Sequence, residues 1–535
     1  LLRGEAGIGK SRLLLMLKEA LCEKAIEVRE LRCSPEHSQS PFHPLTALFE
    51  LKLTFFPDET PEARFEKLAE YVETHFASKD QEIVTLLATM LSLPLRASCL
   101  KPDSSPQQQR EKTMAILLDR LYSLAEKQAL LLLIEDLHWA DPSTLEFLKL
   151  FVAQQRMAPI FAVFTARPEF EPPWQESLVR TLPLNALNKT ETAMLITSVE
   201  PGIAPAMLLR IVERADGIPL FAEELTREVA VNDQSAIPST LQDLLATRLD
   251  GLGAAKIIAQ LASVAGREFS FDLLRRISPF DDATLEQMLH QLQEAGLLQC
   301  TTRRVFNFRH ALMRDAAYQS QTRAEREAAH RRIADALETG GSKVRPELLA
   351  QHRAAGGEIR QAIACWIDAG KLASQHSASR EAVTHFKSGL NLLQSLAPGP
   401  ERDRQELILQ IGLGSAANST QGYASAEGAQ AYARAMTLAS RHESDPAMFP
   451  AIWGLWASAS SRAGYAIALD LAQQLLRMAS QSDDPVEKAQ GHFAVANTLY
   501  WQGEFVTAQM HLERVSELYQ PARQTMHIEG FGEDA

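Results

Sequence analysis

Gly4-Glu5-Ala6-Gly7-Ile8-Gly9-Lys10-Ser11 opens the chain with the G-x-x-x-x-G-K-[ST] spacing of a phosphate-binding loop. Leu1-Leu2-Arg3 leads in as the end of a strand, and Leu13-Leu14-Leu15-Met16-Leu17 leads out with the apolar pattern of a helix. In such a loop the glycines let successive backbone N–H groups point at the β- and γ-phosphates. Lys10 reaches the same oxygens, and the Ser11 hydroxyl ligates Mg2+. The anion then lies at a helix N-terminus, where it is attracted. The expected nucleotide site therefore runs through Gly4, Glu5, Ala6, Gly7, Ile8, Gly9, Lys10, Ser11 and Arg12.

The second landmark is Ala129-Leu130-Leu131-Leu132-Leu133-Ile134-Glu135-Asp136. Its unbroken apolar run predicts a strand buried on both faces, as in the middle of a parallel sheet covered by helices. Ligands of such sheets bind at the carboxyl ends of the strands. There Glu135 and Asp136 fit one acid for the magnesium shell and one that orients the attacking water. Asp141-Pro142 reads as a cap and first turn of the next helix. A further strand, Pro159 to Phe164, ends in Thr165-Ala166-Arg167. A hydroxyl and a guanidinium there are placed to approach a γ-phosphate, although Arg167 could equally pair with a structural acid. Gly217-Ile218-Pro219 stops one helix and starts another, and the Pro219 ring is also suited to cover a purine face.

Between these landmarks, Ile26 to Cys33 alternates like a strand, and Ser34 to Pro44 is a proline-rich loop whose His37 and His43 lack the partners of a metal site. That loop is expected to wall the nucleotide pocket. Residues 45 to about 128 read as helical, interrupted near Leu93-Pro94 and from Lys101 to Gln109. Beyond 237 come short helices (Ser239 to Leu249, Ala255 to Ala265, Phe271 to Ile277, Asp282 to Ala295) and then a hairpin of Gly296 to Cys300 with Val305 to Phe308. This order suggests a winged helix. Residues 251 to 332 carry twelve basic and nine acidic side chains, interspersed, so DNA binding by this segment is not expected. From 341 the chain reads as alanine-rich helical hairpins. Tyr465 and Ala468 precede Phe505 and Ala508 by forty positions, with similar pairs at Ala362 to Trp366 and Ala382 to Phe386. Small-into-large contacts of this kind stack helix pairs into a solenoid with a concave binding face.

Composition bounds the alternatives. The 535 residues suffice for three or four domains, and 54 basic against 67 acidic residues, net −13, give no global attraction to nucleic acid or an anionic membrane. The five cysteines, at 22, 33, 99, 300 and 365, form no Cys-x-x-Cys pair, which points to a reducing compartment. No apolar run approaches a membrane span. A cytoplasmic protein is expected. The chain opens without Met almost inside a strand, and Gln524 to Ala535 ends without a capping helix, so both ends read as truncated.

Four segments carry a resemblance: Gly-Glu-Ala-Gly-Ile-Gly-Lys-Ser-Arg-Leu at 4 to 13, Glu-Asp-Leu-His-Trp-Ala-Asp-Pro-Ser-Thr-Leu at 135 to 145, Thr-Ala-Arg-Pro-Glu-Phe at 165 to 170 and Asp-Gly-Ile-Pro-Leu-Phe-Ala-Glu-Glu-Leu at 216 to 225. They resemble the origin-recognition-like AAA ATPase module of the STAND class in large bacterial signalling proteins. There it precedes tetratricopeptide-like repeats and is often fused to a class III adenylate or guanylate cyclase or to a LuxR-type DNA-binding domain. The segment around His310 also resembles the Met-His-Asp segment of switch ATPases, whose histidine contacts ADP phosphates. Arg309 and Ala311 depart from that pattern, and a histidine satisfied within the wing is the other reading.

The resemblance implies an α/β P-loop domain (1–185), an all-α lid (186–236), a winged-helix domain (237–340) and TPR-like repeats (341–535). It implies a slowly hydrolysing switch that binds ATP or ADP with Mg2+, senses a ligand or protein on its repeats, self-associates according to nucleotide and controls an output domain. The expected catalytic residues are Glu135, Asp136 and Arg167, with Ser11, Glu135 and Asp136 on the metal. The competing readings are a non-hydrolysing nucleotide-bound scaffold and a transcription regulator acting through its own winged helix.

Overall fold

The computed structural model describes residues 1–55, 59–76, 81–93, 106–154, 156–232, 240–300, 304–340, 344–441 and 447–518. Pro94, Cys99, Lys101 to Ser105, residues 237–239, Thr301 to Arg303 and Gln524 to Ala535, all named above, lie outside them. The described residues form two compact units, one of 1–93, 111–344 and 355–358, the other of 106–110, 345–354 and 359–518.

Strands β1 (Leu2–Arg3), β2 (Ile26–Arg32), β3 (Ala129–Glu135), β4 (Ile160–Ala166) and β5 (Leu182–Pro183) form a parallel sheet in the order β2-β3-β4-β1-β5. Side chains alternate across a strand, and on β3 both faces are apolar. Leu132 and Ile134 join the larger core with Phe49, Leu117 and Phe147, while Leu131 and Leu133 pack with Leu14 on the other side. Each fully buried leucine contributes about 1.5–3 kcal/mol. This interior strand therefore anchors both layers.

Around the sheet lie α1 (Lys10–Leu21), α2 (His43–Leu53), α3 (Pro61–His75), α4 (Gln81–Met90), α5 (Pro106–Lys127) and α6 (Pro142–Gln154). Pro106 to Gln109, expected in a polar interruption, instead make the first turn of α5; a proline fits there because its φ is preset and its missing N–H has no helical partner. β4 extends past Phe164 through Thr165 and Ala166, because those two residues pair with Leu2 and Arg3. Asp141 caps α6, accepting from Thr144 N at 2.8 Å.

A small helical cluster follows, of α7 (Lys189–Val199), α8 (Pro205–Ala215) and α9 (Pro219–Asn232), around Ile196, Ile211, Phe221 and Leu225. Gly217 joins α8 to α9 at φ 71°, where a β-carbon would meet Leu187 O at 2.3 Å, so no other residue fits. Next come α10 (Leu241–Asp250), α11 (Ala255–Ala265), β6 (Glu268–Ser270), α12 (Phe271–Ile277), α13 (Asp282–Glu294), β7 (Leu298–Cys300), β8 (Val305–Phe308), α14 (Ala311–Gln319) and α15 (Arg323–Glu338). The strands form an antiparallel sheet in the order β6-β8-β7. β6 was not anticipated. Among its three residues only Phe269 is buried, so it carries no alternation to read.

The second unit is helical: α16 (Pro346–Ala355), α17 (Ile359–Gln375), α18 (Ser379–Leu393), α19 (Pro400–Gln421), α20 (Ala426–Ala439), α21 (Met448–Ser461), α22 (Tyr465–Gln481), α23 (Pro485–Gln502) and α24 (Phe505–Leu518). From α17 onward each helix packs on the next. Large rings fill gaps left by glycines. A β-carbon on Gly370 or Gly412 would lie 2.5 or 2.4 Å from the Phe386 ring, and one on Gly414 or Gly454 would lie 2.7 or 2.3 Å from Tyr432. Two tryptophans are held by hydrogen bonds, Trp453 Nε1 to Gln490 at 3.0 Å and Trp456 Nε1 to Thr498 at 2.9 Å. Ala362, Ala382, Ala468 and Ala508 are buried, whereas Phe505, read as the counterpart of Tyr465, is 61% exposed.

Gly412→Ala should gain about 1 kcal/mol of helix propensity yet lower stability, because overpacking of this kind costs about 1–3 kcal/mol. In a Phe386→Leu background the same change should be neutral or stabilising. Thermal unfolding of the four members of this cycle tests it; additive effects would contradict the packing described.

Candidate nucleotide site

β1 delivers the chain to the loop at the carboxyl edge of the sheet, where Gly4 N donates to Ala166 O of β4 at 3.3 Å. Gly7 (φ 81°) and Gly9 (φ 103°) adopt the left-handed backbone that the loop needs. Gly9 is the N-cap of α1, with Leu13 N bonded to its carbonyl at 3.0 Å. The first amides of α1 have no partner inside the helix. Ile8 is buried, while Glu5, Ser11 and Arg12 are exposed and Ala6 is intermediate. Lys10 is buried, and its Nζ donates to Gly4 O at 2.6 Å and Glu5 O at 2.8 Å. Burial lowers its pKa, a shift that Asp136 opposes.

At the end of β3 the two acids part company. Glu135 is buried: Ser11 Oγ donates to its Oε2 at 2.8 Å and Arg32 Nη2 to its Oε1 at 2.7 Å. Burial disfavours the carboxylate, but Arg32 and Ser11 outweigh it and hold the group at about 2, against an ordinary 4.5. Asp136 turns out of the sheet at φ 59° and starts a 3-10 turn, Leu137–Trp139. Its backbone N–H donates to Thr165 Oγ1 at 2.9 Å, which uses the buried Thr165 hydroxyl to fix the acid's backbone. Its carboxylate accepts from Arg267 Nη1 at 2.6 Å. Arg267 directly precedes β6, so the cation comes from the module of α10 to α15.

The remaining residues fall around this centre. Arg167 has its guanidinium 6.0 Å from the Trp139 ring centroid. His138 is held neutral at about 4 by burial, aided by Arg167 and Lys10 against Asp136. Pro219 starts α9, and the following Leu220 N donates to Gly7 O at 3.2 Å, so the Gly-x-Pro turn touches the loop. His310 precedes α14 as its N-cap; burial and the neighbouring Arg309 hold it at about 4, within electrostatic reach of Glu223, Arg227 and Arg267. The proline-rich loop serves a purpose not foreseen as a pocket wall: Glu36 forms an ion pair with Arg314 of α14, and His37 stacks on His43 at 3.6 Å. Sequence reasoning also missed Arg32, His138 and Arg267. Arg32 ends a strand at the register of Glu135, the one local signal available.

These donors fit a magnesium nucleotide. Lys10 and the loop amides offer positive charge at a helix N-terminus, and Ser11 bonded to Glu135 offers two hard oxygens side by side. Among the described residues no group of three or more His, Cys, Asp and Glu side chains is arranged to hold a metal unaided. None of the described helices is long and apolar enough to cross a membrane.

Comparison with known proteins agrees for the first unit. Residues 1–163 match the family described as AAA ATPase domain, which bears out the AAA reading of this segment and with it a nucleotide-binding class. An uncharacterized protein of Rhizobium meliloti (strain 1021) is 27% identical over 519 residues, covering 91% of this chain and 49% of that protein. The chain thus spans about half the length of the curated relative that it matches. A solved structure, titled as a Signal Transduction ATPase with Numerous Domains (STAND) protein with a tetratricopeptide repeat sensor from Pyrococcus horikoshii, covers 96% of this chain and 84% of its own, at 11% identity and a TM-score of 0.38.

Arg32→Met should leave the Glu135 carboxylate buried without its cation, costing about 3–5 kcal/mol at pH 7. In the wild type the contribution of Glu135 is full above pH 4.5 and is lost as pH falls toward 2. In the variant burial raises the pKa instead, so protonation relieves the defect on acidification. The gap between the two urea midpoints should therefore narrow from pH 7 to pH 4. A constant gap would mean that Arg32 acts through packing alone.

Proposed function

We propose that this chain is a STAND-type signal-transduction ATPase, a switch held closed by contact between its ATPase core and the module that follows. The single observation that carries this reading is the Arg267–Asp136 ion pair, 2.6 Å long, with both side chains largely buried. Asp136 stands where a water-orienting base belongs, and a cation from another module holds its carboxylate. Arg314 with Glu36 supports the same docking. Glu224 of α9 joins it, paired with Arg227 at 2.9 Å and with Arg248 of α10.

In this reading Lys10 and the amides of Gly4 to Arg12 bind the phosphates of ATP or ADP, and Ser11 with Glu135 holds Mg2+. The Ser11–Glu135 bond favours Glu135 as the magnesium-side acid and leaves Asp136 for water. Bound Mg2+ would neutralise charge on the phosphates. Arg167 and Thr165 flank the γ-phosphate position, Pro219 borders the base, and His310 reports on the phosphates from the docked module. The working division is a core at 1–185, a lid at 186–236, a winged-helix domain at 237–340 and a TPR-like sensor at 341–535, in the cytoplasm. Engagement of a ligand or protein on the repeats favours the open form only by its differential affinity for the two forms. The open form exposes Asp136 and self-associates. The controlled output, a cyclase or a DNA-binding domain, belongs to the longer protein.

Arg267→Met should raise ATP turnover several-fold and produce a larger species by light scattering with ATP but not with ADP. Asp136→Asn should keep ATP affinity while losing about a hundredfold or more in turnover, and Lys10→Ala should lose nucleotide binding. If Arg267→Met leaves turnover and assembly as in the wild type, the ion pair does not hold the switch.

A further inference from the structure

On the side of the ATPase core formed by β2, β3, α2, α3, α5 and α6 lies a cavity of about 70 Å3. Its walls are chiefly aliphatic and aromatic, among them Leu45, Phe49, Tyr71, Leu117 and Leu132. Three cations also line it, namely Arg29, Lys52 and Arg120. Of these, Arg29 pairs with Glu27, whose charge also acts on Lys52. Burial lowers the pKa of Lys52, and Arg29 lowers it further.

Arg120 is the unusual member. It is 8% exposed, and its Nε and Nη1 are buried without a hydrogen-bond partner. No ion pair to it is found among the described residues. What surrounds it instead is aromatic: its guanidinium lies 5.9 Å from the Tyr71 ring centroid and 5.8 Å from that of Phe76. Such contacts contribute about 0.5–2 kcal/mol. An unpartnered ionised group in an apolar setting costs several kcal/mol, and arginine does not escape by losing its proton.

We propose that this cavity is a binding site for an amphipathic organic anion, a straight-chain carboxylate whose head group meets Arg120 and whose chain lies against the leucines. A planar carboxylate matches the guanidinium fork. Lys52 and Arg29 add positive charge, and the apolar wall rewards methylene groups at about 0.8 kcal/mol each. One water needs only about 10–15 Å3 on this measure, so the space admits a chain of about eight carbons. The site is separate from the nucleotide loop, so the inference stands whether or not the switch reading does.

Titration calorimetry of the full chain with octanoate, without nucleotide, tests the inference. Octanoate should bind at one site per chain, at least tenfold tighter than 1-octanol, while inorganic phosphate should not bind measurably. Arg120→Met keeps the bulk and removes the charge. It should abolish the preference for octanoate over octanol, while the variant unfolds at the wild-type temperature or above. Arg120→Lys should retain the preference in part. Equal binding of octanoate and octanol, unaltered octanoate binding in Arg120→Met, phosphate binding equal to that of octanoate, or no octanoate binding to the wild type would each overturn the proposal.

Discussion

The first unit depends on how one carboxylate, Glu135, is kept ionised inside it. It sits at the end of a strand whose side chains are buried on both faces, a place where a lone charge would lose its proton. Arg32 from the neighbouring strand supplies a charge and one N–H donor, and Ser11 from the first turn of α1 supplies a hydroxyl. Because β2 and β3 run parallel, Arg32 falls beside Glu135 in register. One anion thus ties the edge strand β2, the adjoining strand β3 and helix α1 at a single point. The loop can then be rigid where it meets a ligand although its own backbone is unusual.

The neighbouring acid is treated in the opposite way. Asp136 leaves the strand in a left-handed conformation, disfavoured for a residue with a β-carbon. The Thr165 hydroxyl fixes its amide, and its carboxylate faces Arg267. Glu135 is satisfied within the core by Ser11 and Arg32, with Arg267 adding a weaker electrostatic contribution. Asp136 is paired instead with Arg267, which directly precedes β6. Two adjacent carboxylates thereby acquire different partners from one backbone turn. The buried, neutral histidines His138 and His310 lie on the two sides of this contact and bring no charge of their own to it near neutral pH.

What could be read from the sequence was what is local. The phosphate loop, the apolar run of β3, the acids after it and the Asp141 cap each sit within a few residues of the feature that identifies them. The partners that decide their chemistry do not. Arg32 looks like any strand-end cation until β2 is paired with β3, and Arg267 precedes a three-residue strand that carries no pattern. The loop of His37 and His43 is expected from the sequence to wall the nucleotide pocket, whereas Glu36, just before His37, forms an ion pair with Arg314 of α14. In the repeats the alanines were legible, but the glycines facing Phe386 and Tyr432 were not, since a missing side chain leaves no periodic signal.

Arg120 shows where such reasoning gains from structure. In the sequence it is a basic residue on a long amphipathic helix, which ordinarily belongs to a solvated face. In the fold it is among the most buried cations, yet it stands apart from the others. Lys10 bonds to loop carbonyls, Arg32 to Glu135 and Arg267 to Asp136. Among the described residues Arg120 has no ion pair, and the rings of Tyr71 and Phe76 and a mainly apolar cavity lie beside it. The ring quadrupoles offset a fraction of the lost hydration, and a hydrocarbon side chain of similar length would fill the same space without that cost. The charge is therefore not explained by packing. Its nearest physical complement is an anion that brings its own apolar surface into the cavity.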